Sequence, residues 1–393
     1  MDLMSLQTAL REECIDAWLF CDFHRRDHVA RSILGLSRDE WMTRRWYYLV
    51  PASGEPGKLL HDIESDQLAG LPGAVRTYRG WQELQAGLRE LLAPYSRVAM
   101  QYSPQNQLPS IAMADAGTVE MVRGFGHEVV SSANLVHRCE SRWSAQALAS
   151  HLEAGRLIDG IVSDTFRHIG RRIADGRPAS EFEVQRYMAE RLERSNLITD
   201  SPPIVAAGTH CGIPHYSPQP QGSQPIRKGD FVLLDIWAKL NRPGSVYYDI
   251  TWTGYAGPRP PEHIEEIFHI VRTARDTAVR AVDEAMREGR TIRGFEVDRA
   301  ARGVIENAGY GKYFVHRTGH AIGQSVHANG ANMDDLETHD ERPVIAATCF
   351  SIEPGIYLPE FGIRSEVDVY VEPRAARVTG AVQNEIVRIA IEP

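Results

Sequence analysis

The sequence predicts two domains: an α/β domain over residues 1–140 and an α+β domain over residues 141–393. Three observations carry this. A chain of 393 residues exceeds one ordinary domain. Up to about residue 136, short apolar strands alternate with helical runs. Near residues 138–144 the character changes to one long amphipathic run, followed by two strand–turn–strand patterns.

In the first domain, residues 5–13 read as a helix and residues 17–21 (AWLFC) as an apolar strand. Residues 46–50 (WYYLV) and 98–100 read as further strands, and residues 81–92 carry apolar side chains at helical spacing. The charged stretch 35–45 (GLSRDEWMTRR) reads as a loop. In the second domain, residues 144–173 are expected to form a long helix with Leu148, Leu152, Leu157, Ile158, Ile161, Val162, Phe166 and Ile169 on its apolar face. A helix over 181–193 follows Ser180, with Glu183 at capping-box spacing. Residues 203–207 read as a strand running into a Gly/His-rich loop, 208–216. Helices over 262–287 and 294–307 come after the first hairpin.

Composition excludes several function classes. Hydrophobic residues make up 43% and charged residues 24%, as in a soluble globular protein, and the formal charge is −9. There is no basic stripe with interleaved aromatics, so nucleic acid is not an expected partner. No apolar stretch approaches the ~20 residues of a membrane span, and the N-terminus lacks a signal-peptide core, so the expected location is the cytoplasm. The five cysteines are scattered without CxxC spacing and read as reduced thiols. A metal here must rely on oxygen and nitrogen ligands.

Residues 231–255 (FVLLDIWAKLNRPGSVYYDITWTGY) organise the rest. Asp235 and Asp249 interrupt apolar runs, and Asn241-Arg242-Pro243-Gly244 is a turn signal. The midpoint of the two aspartates is position 242, so a hairpin is expected to set them nearly opposite each other. Two buried anions need a cation or a shared proton. Residues 316–327 (HRTGHAIGQSVH) hold three histidines in a Gly-containing segment. Glu353 ends one strand (CFSIE) and Glu366 lies in the next (GIRSEVDV), with their midpoint in the reversal Pro359-Glu360-Phe361-Gly362. Four carboxylates and a histidine are too much negative charge to bury without metal. Hard oxygens with one imidazole suit Mn²⁺, Co²⁺, Fe²⁺ or Zn²⁺, and shared carboxylates favour two ions. Ions ~3.5–4 Å apart hold a hydroxide at neutral pH, because metal lowers the pKa of water to ~7. That chemistry is metal-assisted hydrolysis.

In this order, Asp, Asp, HxTGHxIGxxxH, IEPGIY and GIRxE resemble the pita-bread metallopeptidases, the group of creatinase, prolidase, aminopeptidase P and methionine aminopeptidase. The resemblance runs from about residue 145 onward, and residues 1–140 resemble the creatinase/prolidase N-terminal domain. It implies a pita-bread catalytic domain with two divalent ions, Mn²⁺ first, then Co²⁺ or Zn²⁺. Carried over, Asp235 binds one ion, His320 and Glu353 the other, and Asp249 and Glu366 bridge. His215 and His327 contact the substrate and stabilise the tetrahedral intermediate, while His316 supports the site. Arg364 orients a carboxylate, the substrate's or a neighbouring ligand's. A metal-bridging hydroxide attacks the carbonyl before proline, and Glu353 carries the proton to the leaving nitrogen. The resemblance also implies a homodimer. Two departures stand out: the hairpin tip over 240–246 is extended, and Val367 replaces an acid common after the last glutamate.

Prolidase (Xaa-Pro dipeptidase) and aminopeptidase P share this constellation and differ in how the pocket ends. The compact length points to the dipeptidase; the alternatives are aminopeptidase P, a non-peptide hydrolase or lyase, and an inert binding protein. The 35–45 loop is expected to cap the cleft, from its own or a partner protomer. Asp39 would then sit near the substrate amine and Arg44 or Arg45 would hold the loop.

Overall fold

Residues 2–37 and 42–392 are described by the structure, a computed structural model. They fall into two compact units, Met1–Glu140 and Ser141–Pro393.

The first unit has helices α1 (Leu3–Glu12), α2 (His28–Leu34), α3 (Trp81–Leu92), α4 (Ala116–Gly124) and α5 (Ala133–Glu140). Its strands are β1 (Ala17–Asp22), β2 (Trp46–Pro51), β3 (Gly57–His61), β4 (Ala74–Tyr78), β5 (Arg97–Met100) and β6 (Glu128–Ser131), in the order β4-β3-β2-β1-β5-β6. The AWLF and WYYLV runs are apolar throughout because both sheet faces are covered. Trp18, Phe20, Tyr48 and Val50 pack on one side with α1, α2 and α5. Ala17, Leu19, Tyr47 and Leu49 pack on the other with α3 and α4. Strands β3, β4 and β6 carry no comparable apolar signal; four of the five β4 residues are exposed.

Asp27 in this unit is a pH-sensitive group. It caps α2 by accepting the Ala30 N–H at 2.7 Å, and it is only 1% exposed. Burial, with the nearby Asp22 charge, pushes its carboxyl from 3.8 up to about 7. The folded state therefore holds a proton that the unfolded state releases, and stability falls as pH rises from about 4 through 7. Asp27→Asn keeps a capping oxygen but cannot titrate. Denaturant melts at pH 4.5 and 8 should give a wild-type loss exceeding the variant's by a few (roughly 2–4) kcal/mol. Equal slopes would contradict the assignment.

In the second unit, α6 (Ala145–Ala174) and α7 (Glu181–Arg194) lead into β7 (Leu197–Ile198), β8 (Ile204–Ala207), β9 (Phe231–Leu240) and β10 (Tyr248–Tyr255). Then come α8 (Glu262–Glu288), α9 (Gly294–Asn307), β11 (Ala321–Ile322), β12 (Cys349–Ile352), β13 (Gly355–Tyr357), β14 (Gly362–Arg364), β15 (Val367–Glu372), β16 (Ala375–Thr379) and β17 (Val387–Arg388). Ser144 caps α6, and Ser180 with Glu183 closes the capping box on α7, at 3.2 and 2.7 Å. One sheet runs β17-β10-β9-β7 with β8 also on β9; another runs β11-β12-β15-β16; β13 and β14 form a short hairpin.

The period of two along β9 separates core from site. Val232, Leu234, Ile236, Ala238 and Leu240 pack on α6 and α7, together with Tyr248 and Ile250. On the opposite face Phe231 and Leu233 join the α8–α9 core, and the next residues in that row are Asp235, Trp237 and Lys239. The expected facing of the two aspartates is corrected by two residues: Asp235 pairs with Thr251, and Asp249 pairs with Trp237. The connection is 241–247 because Val246 and Tyr247 are held elsewhere. The Val246 N–H donates to Ser150 Oγ at 3.2 Å, and the Tyr247 N–H to the Gly323 carbonyl at 2.9 Å. The aspartates remain diagonal neighbours on one face, within reach of a common ligand.

Candidate metal centre

Two hairpins and one loop bring the charged residues together. Ile352 pairs with Val367 and Gly355 with Arg364, so the shared register puts Glu353 across from Glu366. The 318–320 segment docks on β12. The Glu353 N–H donates to the Thr318 carbonyl at 2.7 Å and the Ser351 N–H to the His320 carbonyl at 2.9 Å. Ser351 Oγ accepts the His320 N–H at 3.0 Å and donates to Glu353 Oε1 at 3.1 Å. Asp298 accepts the Thr318 N–H at 2.9 Å and pairs with Arg302, which fixes the start of the loop.

Asp249, His320 and Glu366, all buried, offer ligand atoms within 4.8 Å of one another. His320 Nε2 lies 3.5 Å from Asp249 Oδ2 and 3.4 Å from Glu353 Oε1. Its Nδ1 faces the Ala321 carbonyl at 3.3 Å, the contact of an Nδ1–H donor, which leaves the Nε2 lone pair toward the carboxylates. Burial holds His320 below the usual histidine range, which favours the neutral form that can ligate a metal. A lone pair aimed at two carboxylate oxygens is repulsive unless a cation or a proton lies between them.

With protein charges alone, three of the four carboxylates are shifted in the same sense, toward holding a proton. Burial first, then mutual repulsion, pushes Asp249 and Glu366 well above the usual range. Asp235 rises to about 7 through burial, against the pull of Arg364. Burial also raises Glu353, but His320, His316, Arg364 and Arg317 together outweigh it and hold it low. A divalent cation would replace the protons this cluster otherwise retains, and the hard oxygen and imidazole donors fit Mn²⁺, Co²⁺ or Zn²⁺.

Arg364 is 3% exposed, and its donors are spent inside the protein. It pairs with Asp235 and donates to Thr251 Oγ1 at 2.9 Å, the Pro214 carbonyl at 3.2 Å and Tyr357 Oη at 3.1 Å. Tyr357 also bonds His316 Nε2 at 2.8 Å, while His316 Nδ1 donates to the Arg317 carbonyl at 2.7 Å. Thus His316, Tyr357, Arg364 and Asp235 form one chain of contacts. Thr251 Oγ1 donates to Glu366 Oε2 at 2.8 Å, and Asp368 Oδ2 accepts the Asp249 N–H at 2.9 Å.

The two remaining histidines sit at the rim. His327 is exposed, with its ring edge-on to His320 at a centroid distance of 4.3 Å. His215 is exposed on the 208–216 loop and acts electrostatically on His316. Buried Glu181 anchors that loop through the Ala207 N–H at 2.8 Å, His210 Nδ1 at 2.9 Å and Tyr216 Oη at 2.7 Å. Asp39 lies outside the described residues. Sequence reasoning gave no role to Tyr357, Thr251, Ser351, Asp368 or Glu181. Tyr357 stands inside the IEPGIY motif, where a hydroxyl four residues from Glu353 is the available signal.

Residues 150–373, more than half of the chain, match the description metallopeptidase family M24. The chain belongs to this family. Among M24-like relatives, the putative dipeptidase YkvY of Bacillus subtilis is 36% identical over 195 residues, 49% of this chain and 49% of that one. The Xaa-Pro dipeptidase of Lactobacillus delbrueckii is 32% identical over 217 residues, 54% of this chain and 53% of that one. The chain thus spans about half the length of these curated relatives. The crystal structure of dipeptidase PepE from Mycobacterium ulcerans superposes with a TM-score of 0.71 over 99% of this chain and 97% of that one, at 24% identity. This establishes the M24 pita-bread fold, with an α/β unit before it.

Proposed function

We propose that this M24 protein is a dinuclear-metal Xaa-Pro dipeptidase that cleaves the bond before proline. The observation that carries the reading is His320 Nε2, turned as a free lone pair between Asp249 and Glu353 beside Glu366. Asp235 would hold one ion, His320 and Glu353 the other, with Asp249 and Glu366 shared. When bound, the two ions supply a hydroxide nucleophile at neutral pH and polarise the scissile carbonyl. Glu353 carries the proton to the proline nitrogen, which must be protonated to leave as a secondary amine. His215 and His327, at the rim, hydrogen-bond the carbonyl oxygen as it gains charge. Arg364 acts as a positioning residue: it holds Asp235 in place through bonds on both sides. The likeness to the Lactobacillus Xaa-Pro dipeptidase supports the substrate class, and the family resemblance supports an N-terminal domain of the creatinase/prolidase type in residues 1–140 and a cytoplasmic homodimer.

The test is hydrolysis of Ala-Pro and Ala-Pro-Ala after chelation and readdition of Mn²⁺. Cleavage of the dipeptide alone is expected. Cleavage of the tripeptide makes the protein an aminopeptidase P, and two bound metals with neither peptide cut overturn the peptidase reading.

A further inference from the structure

The site-facing row of β9 continues beyond Asp235 to Trp237, which stands directly across the ladder from Asp249. The Trp237 indole Nε1 donates to Asp200 Oδ1 at 2.8 Å. Asp200 lies in the link between β7 and β8 and is exposed, and its Oδ2 has no hydrogen-bond partner among the described residues. An exposed carboxylate is thereby steered by the side chain opposite a buried carboxylate of the metal centre. The Asp200 charge is the smallest of the influences on Asp249 and on His327, well behind burial. The neighbouring cation, Lys239, feels the Asp200 charge, but its ammonium is committed elsewhere: it donates to the Gln324 carbonyl and lies 5.0 Å from the centroid of the Tyr247 ring.

A dipeptide is dipolar. Its cations lie on the amino side of the scissile bond, and its carboxylate lies on the proline. A fixed anion at one side of the metal centre attracts the first end and repels the second, which orients the peptide. Resting on the peptidase reading above, we propose that Asp200, aimed by Trp237, is the cation acceptor of the cleft. It receives an ammonium or guanidinium group of the residue before proline. That group is the α-ammonium or a basic side chain, two sources of one chemistry.

The experiment compares the Mn²⁺-loaded wild type with Asp200→Asn, whose amide oxygen still accepts the indole. Substrates are Ala-Pro against propionyl-Pro, which lacks the α-ammonium, and Lys-Pro against norleucyl-Pro, which lacks the side-chain cation. The variant should shrink one of these two preferences about 5-fold or more through KM, with kcat little changed. Collapse of the first ratio assigns the α-ammonium, and collapse of the second assigns the side chain. Asp200→Glu should restore part of the preference, and Trp237→Phe, which keeps the charge but frees it, should fall between. Both ratios unchanged in Asp200→Asn overturn the proposal. If the wild type cuts none of these peptides, the peptidase reading fails separately. Calorimetric titration of the Mn²⁺-loaded chain with Lys-Pro and norleucyl-Pro then decides on Asp200: tighter binding of Lys-Pro lost in the variant supports the proposal, and equal binding in both overturns it.

Discussion

Glu353→Gln should lower kcat on an Xaa-Pro dipeptide by about 10²–10⁴-fold, the range for loss of a general acid–base group. Glutamine keeps the size of the side chain and one carbonyl oxygen, so Ser351 Oγ, 3.1 Å from Oε1, retains an acceptor. What disappears is the ability to take up and release a proton, together with one negative charge. The charge loss should also weaken the metal facing His320 Nε2, which lies 3.4 Å from Oε1. Kinetics should therefore be run beside a metal count by atomic emission and at saturating Mn²⁺. Recovery of full activity at high Mn²⁺ would mean that Glu353 serves as a ligand alone, and proton transfer would have to be moved to another group. A kcat that stays low with two ions bound assigns the proton to Glu353.

The sequence spacing located the carboxylates but not all of their partners. Glu353 and Glu366 were placed across from each other because the reversal between them is short and symmetric, and the β12–β15 and β13–β14 ladders share one register. The spacing of Asp235 and Asp249 is off by two residues because apolar Val246 and Tyr247 look like strand yet are tied to Ser150 and Gly323. Apolar alternation says that a residue is buried and does not say against what. The same limit hides which carboxylate Arg364 orients, since its pairing with Asp235 spans 129 positions, and it hides Tyr357, whose hydroxyl joins Arg364 to His316. In the first unit, β1 and β2 were legible as apolar runs. The edge strand β4 was not, because its side chains face solvent and leave no pattern.

Gly319→Ala is expected to damage both stability and the metal centre, although it adds a single methyl. A Cβ at residue 319 would lie 1.8 Å from the Ser351 carbonyl oxygen and 2.7 Å from its carbon. Neither backbone is free to retreat. On one side the Ser351 N–H is bonded to the His320 carbonyl at 2.9 Å and the Glu353 N–H to the Thr318 carbonyl at 2.7 Å. On the other, Gly319 exchanges two bonds with Met333, at 3.2 and 2.9 Å. Relief therefore requires breaking part of this lattice or shifting β12, at about 1–3 kcal/mol for overpacking alone. Because His320 follows directly and Glu353 lies two residues beyond Ser351, any such shift separates His320 Nε2 from its carboxylate partners. The expected result is a lower Tm in the chelated chain and a smaller rise in Tm on adding Mn²⁺, measured by scanning calorimetry. The control is Gly303→Ala on α9, where an added methyl meets no atom within 4 Å and helix propensity favours alanine by about 1 kcal/mol. An unchanged Mn²⁺-dependent rise in Gly319→Ala would mean that the 318–320 segment can move without disturbing His320, and that its close docking on β12 does not set the metal geometry.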